Sequence, residues 1–106
     1  MPAAKETFEG GSTRSVLRER YDLIPKEAID AIARRLALGA ERHGEYNWMA
    51  GGDNFRKACI NHLMKHLLDY IWNGDQGEAN TDAIICNAAM LCYFEATNPY
   101  RPKEKE

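Results

Sequence analysis

The sequence predicts an all-α fold: a compact bundle of about three main helices, completed by oligomerisation. Three observations carry this expectation. Apolar residues recur at helical spacing in three stretches. Glycine or proline punctuates the chain between those stretches. No run with the two-residue alternation of a strand is longer than a few residues.

The first helix is expected from Pro25, a residue well suited to a helix start because its φ is already set. Ile29, Ile32, Ala33, Leu36 and Ala40 make one apolar stripe, His43 falls on the same stripe, and Gly44 stops it. A loop, residues 45–52, ends in the breaker Gly51-Gly52. Asp53 is a plausible N-cap for a second helix that runs to about Asn73 and stops at Gly74. Its apolar stripe is Ile60, Leu63, Leu67 and Ile71. Beside it runs a polar line, His62, His66, Asp69 and Asn73, at steps of four, three and four residues.

The third helix is expected from about Asn80 to Asn98. Between Ala83 and Phe94 its only strongly polar residue is Asn87. A helix apolar all round must be covered on nearly every side. Two other helices of one small chain hardly suffice, so a homo-oligomer, a dimer or tetramer, is expected with this third helix at its centre.

The domain plan is one helical domain, residues 21–97, with a polar, flexible N-terminal arm (1–20) and a polar tail (98–106). The chain has 106 residues, 44% of them hydrophobic and 28% charged, which suits a single modest core. A formal net charge of -2 argues against a duplex-binding module, whose affinity comes from neutralising phosphates. Three cysteines without a C-x-x-C pair argue against a disulfide framework or a structural zinc site. They fit reduced thiols packed as small hydrophobes. Residues 1–11 lack the apolar core of a secretory signal, and no window is long enough for a membrane span. The expected place is the cytoplasm, with no membrane and no stable nucleic-acid partner.

A short turn, residues 74–79, makes the second and third helices antiparallel neighbours. It brings His66, Asp69, Glu78 and Asp82 towards one end of the pair. Imidazoles and carboxylates converging between helices are what a divalent-metal site in a bundle requires. Glu78 and Asp82 are equally a fair first-turn pair for any helix, since acids favour its N-terminal dipole. Asn87, enclosed by apolar neighbours, must find hydrogen bonds, either at a base pocket or between helices. Glu41, His43, Tyr46, Asn47 and Trp48 close the first helix. There an aromatic ring with amides beside it can stack on a base and read its edge, or simply plug the core.

The run Arg20-Tyr21-Asp22-Leu23-Ile24-Pro25, then Glu27-Ala28, Gly39-Ala40-Glu41-Arg42-His43-Gly44 and Asn47-Trp48, resembles the phage dATP/dGTP diphosphohydrolase family. Lys65-His66-Leu67, Gly74-Asp75 and Cys86-Asn87 correspond to later positions of that family. The resemblance covers roughly residues 14–95. The family is similar in turn to the all-α MazG-like nucleotide pyrophosphohydrolases, which cleave a nucleoside triphosphate to monophosphate and pyrophosphate with a magnesium-type cluster of acids.

What the resemblance implies is metal-dependent hydrolysis of dGTP or dATP, and a role in remodelling the deoxynucleotide pool during phage infection. It implies Glu78 and Asp82 as catalytic residues. The metal set (Mg, Mn or Co) is drawn from Glu41, His62, His66, Glu78 and Asp82. Arg56, Lys57 and Lys65 are expected to meet phosphate, and Asn47, Trp48 and Asn87 the nucleoside. Two departures stand out. His62 and His66 occupy places where the relatives carry acids, and Glu78 and Asp82 are four residues apart instead of three. Glu41 and Glu45 are the nearest acids to complete a shifted set. The competing reading is a non-catalytic helical phage protein that binds a host or phage partner. A structural zinc-binding regulator is a third.

Overall fold

A computed structural model describes residues 4–99 and 101. Three helices dominate: α1 (Lys26–His43), α2 (Asp53–Asn73) and α3 (Asn80–Thr97). All three lie where the periodicity and breakers put them, and the fold is all-α in its main architecture. The polar N-terminal arm carries one addition, a small exposed antiparallel hairpin of β1 (Lys5–Thr7) and β2 (Thr13–Ser15) that pairs Glu6 with Arg14. Three-residue strands are too short to give a readable alternation.

The helix ends follow local chemistry. Pro25 precedes α1 with φ −67°, Glu27 sits in the first turn, and Arg42 and His43 sit in the last, each complementing the helix dipole. Gly44, at φ 96°, ends α1 while its N–H donates to the Ala40 carbonyl. Asp53 opens α2 rather than capping it; Gly52 occupies the cap position, and no side chain caps that end. The start of α3 is capped from upstream, because the Asp75 carboxylate accepts hydrogen bonds from both the backbone N–H and the hydroxyl of Thr81.

α3 lies between α1 and α2 and is the main packing partner of both. From Ala83 to Phe94 only Cys92 is exposed. Ala83, Cys86 and Phe94 of α3 are buried within one chain, while Ile84, Ile85, Met90 and Leu91 stay half-buried. The buried hydrophobic residues are Ala31, Cys59, Ala83, Cys86 and Phe94.

α2 has the reverse of the usual arrangement. The middle of its polar line turns inward, with His66 buried against α3 and Asp69 half-buried, while Ile60, Leu67 and Ile71 of its apolar stripe face solvent. An amphipathic helix ordinarily buries the apolar side.

Candidate functional site

The residues singled out in the sequence separate into two places. The first is an open cavity of about 700 Å³ lined by the C-terminal half of α1, the following loop, α2 and α3. That volume lies in the range of small-ligand pockets, roughly 300–1,000 Å³. The loop is what gives the cavity its aromatic wall. After Gly44, Tyr46 adopts a left-handed backbone (φ 59°), a conformation that costs a non-glycine residue on the order of 1 kcal/mol. The short helical turn Asn47–Ala50 then sets Trp48 edge-on to Tyr93 (5.1 Å between ring centres) and Phe94 (5.9 Å). Gly51 allows the loop to close over Phe55: a Cβ there would lie 2.5 Å from the Phe55 side chain.

Asn47, Trp48, His62 and Asn87 all line this cavity. Asn87 donates through Nδ2 to the Ala83 carbonyl at 2.8 Å, so its Oδ1 is left as an acceptor. Trp48 packs on α3 and also lines the cavity. The cations of the cavity are not those expected from sequence. Arg35 and Arg42 line it. Arg35 is half-buried and makes no hydrogen bond among the described residues, yet its charge acts on Asp82, Glu78 and Cys86. A signal for it existed in the sequence: Ala31, Arg35, Leu38 and Arg42 recur at steps of four, three and four, so two arginines share the inward stripe of α1.

The second place is the turn between α2 and α3. Asn80, 1% exposed, organises it. Its Nδ2 donates to Asp69 Oδ2 (2.7 Å) and to the Gly74 carbonyl (2.9 Å), so its Oδ1 accepts from His66 Nδ1 at 2.9 Å. That network assigns the proton of His66 to Nδ1. Lys65 donates to Glu78 Oε2 at 2.9 Å, and Glu78 Oε1 lies 3.7 Å from His66 Nδ1. Lys65 and then the nearby His66 hold the Glu78 carboxyl below its usual range. Asn73 and Asn80 do the same for Asp69. Asp82 points elsewhere, to α1, where Arg34 grips both its oxygens at 2.8 and 2.9 Å and lowers its pKa.

The expected metal set is therefore not assembled. Among the described residues no three His, Cys, Asp or Glu side chains come together as a metal ion would require. His62 faces the cavity while His66 is tied to Asn80; Glu78 and Asp82 are each bound to a cation; Glu41 is exposed and off the cavity wall. As arranged, these donors do not fit a bound ion.

None of the three expected phosphate cations, Arg56, Lys57 and Lys65, lies on the cavity wall. Arg56 is buried and donates to the carbonyls of Phe94 and Asn98, satisfying the end of α3, and its guanidinium lies 5.8 Å from the Phe94 ring centre. Lys65 is engaged with Glu78, and Lys57 is exposed outside the cavity wall.

The family model described as dATP/dGTP diphosphohydrolase, N-terminal, matches residues 9–103. No curated protein and no solved structure matches the chain.

Proposed function

Because the chain belongs to the dATP/dGTP diphosphohydrolase, N-terminal family, we propose that it hydrolyses purine deoxynucleoside triphosphates, dGTP or dATP, to the monophosphate and pyrophosphate. The observation that carries this reading is the composition of the 700 Å³ cavity, whose lining combines aromatic, amide and cationic side chains. In it Trp48 offers a ring face for the base, and Asn87 Oδ1 and the Asn47 amide meet its polar edge. Arg35 and Arg42 take the triphosphate; a guanidinium pairs well with phosphate oxygens, and among the described residues Arg35 has no hydrogen bond to give up. His62 is the cavity-lining side chain we assign as base for the attacking water, with His43 and Glu45 on the same lining.

A divalent ion enters this reading as part of the substrate, the metal–triphosphate complex. The carboxylates of Asp69, Glu78 and Asp82 are engaged by Arg34, Lys65, Asn73 and Asn80. The cellular role that fits is adjustment of the deoxynucleotide pool in the cytoplasm of an infected host. No described helix is long and apolar enough to cross a membrane.

Incubation of the four deoxynucleoside triphosphates with magnesium, manganese or cobalt tests the reading. Pyrophosphate is expected from a purine substrate. Arg35→Gln is expected to raise KM about 10- to 100-fold, the worth of a charge-assisted hydrogen bond. Orthophosphate as the first product would place cleavage at another bond. The second reading is a binding protein without turnover, favoured by the dispersal of the acids. It predicts nucleotide or partner binding and no pyrophosphate with any metal.

A further inference from the structure

Tyr46 lines the cavity, and the fold does not account for its side chain. Its backbone has a clear task. The left-handed turn there (φ 59°, ψ 8°) redirects the chain after α1, and the Tyr46 carbonyl accepts from the Met49 N–H at 3.0 Å to open the short helical turn that carries Trp48. A glycine does this without strain and an asparagine with little, whereas a bulky ring is an uncommon choice at positive φ. The side chain returns nothing to the fold. It is 70% exposed, and among the described residues its hydroxyl makes no hydrogen bond and its ring pairs with no other aromatic ring. Backbone strain of this kind clusters at ligand clamps, where what is bound accounts for the residue.

Trp48, two residues on, is its counterpart. It is half-buried, and its edge-on contacts with Tyr93 and Phe94 fix it to α3. One ring of the loop is thus anchored and the other is free, and both line the same cavity. A flat ligand resting on Trp48 in an open cavity leaves its second face to solvent. The Tyr46 ring stands at the mouth, and rotation about its own side-chain torsions carries it over that face with the backbone left in place. The ring then buries apolar surface only when the ligand is present.

We propose that Tyr46 is a nucleobase-binding residue, whose ring closes over the purine from the solvent side and holds it against Trp48. This rests on the cavity's being a nucleotide site and is independent of turnover there. A purine gains more from two stacked faces than a pyrimidine does, because overlap grows with ring area.

Binding of the α,β-methylene analogue of dGTP, with magnesium, tests this, read by equilibrium dialysis and by Trp48 emission in a Trp72→Phe background. Tyr46→Asn removes the ring and keeps a residue that tolerates the left-handed backbone. Its dissociation constant should rise about 5- to 100-fold, the worth of one base–aromatic stack. Its melting temperature should stay at or slightly above that of the wild type, since an exposed ring is lost and strain is relieved. Tyr46→Phe, which keeps the ring, should bind as the wild type does. An unchanged dissociation constant in Tyr46→Asn, a loss in Tyr46→Phe as large as that in Tyr46→Asn, or a loss matched by unfolding would each overturn the proposal and leave the hydrolysis reading untouched. A wild type that binds the analogue but releases no pyrophosphate from dGTP would overturn the hydrolysis reading alone. A wild type that binds no analogue would overturn both.

Discussion

Arg34 on α1 holds both carboxylate oxygens of Asp82 on α3, with Nε and an amino nitrogen at 2.8 and 2.9 Å. The Asp82 side chain is only 14% exposed there. The pair spans 48 residues of sequence and ties the start of α3 to the middle of α1. It predicts that Arg34→Gln and Asp82→Asn each lower the melting temperature, by no more than about 5 °C for a pair with one exposed partner. The double variant should lose little more than either single one, because the second change removes nothing further. If Asp82→Asn abolishes hydrolysis while Arg34→Gln leaves it intact, Asp82 acts on the substrate and not only on α1.

The same pair sets an acid limit. Asp69, Glu78 and Asp82 all have pKa values lowered in the fold, by the Asn73 and Asn80 amides, by Lys65 and by Arg34 respectively. A depressed carboxylate contributes its stability above the unfolded pKa, about 4, and loses it as pH falls through the folded value. Urea midpoints should therefore be flat from pH 7 to about 5 and fall below about pH 4. In Asp82→Asn that fall should be shallower; an equally steep one would show that Asp82 does not contribute to it.

Asn80 is the most demanding single position. It serves His66, Asp69 and the Gly74 carbonyl from a fully buried site. Asn80→Ala leaves His66 Nδ1 without a partner and should cost about 2–3 kcal/mol, or roughly 10 °C in melting temperature. Asn80→Asp replaces a donor to Asp69 with a second carboxylate. It should destabilise more at pH 7 than at pH 4, the opposite slope to the wild type. Thermal melts at the two pH values check both.

The three cysteines should differ in reactivity. Burial raises the Cys59 and Cys86 thiols, whereas Cys92 is exposed. A thiol-specific reagent at neutral pH should titrate one group in the native protein and three after denaturation. Fast labelling of two or three native thiols would mean that the cavity floor, which Cys59 and Cys86 help form, opens readily.

The two tryptophans allow the cavity to be watched directly. With Trp72→Phe as background, Trp48 is the remaining indole, and a purine deoxynucleotide analogue that resists hydrolysis should quench it on stacking. Arg35→Gln should shift that titration to higher concentration without changing the limiting quench. Unchanged emission at saturation would remove Trp48 from the nucleoside wall.

The sequence by itself determined the spans of the three helices, because their signals are local. Pro25 presets a dihedral, Gly44 and Gly74 accept positive φ at two helix ends, and a 3.6-residue apolar repeat fills the first two intervals while an almost wholly apolar run fills the third. It also made Asn47, Trp48 and Asn87 recognisable as one chemical set, and the cavity does bring them together. Only the tertiary structure decided which side of each helix faces inward. On α2 periodicity finds an apolar stripe and a polar line equally well, and nothing in the periodicity says that α3 will bring Asn80 to His66 and leave Ile71 outside. For the same reason the partners of the acids were not legible. Whether Asp82 meets a metal or Arg34 depends on a cation placed 48 residues away, and whether Arg35 reaches the cavity depends on the angle at which α1 crosses α3. Such choices are set by the packing of distant segments, where the free energy of burying a charge or an aliphatic side chain depends on what the rest of the chain lays against it.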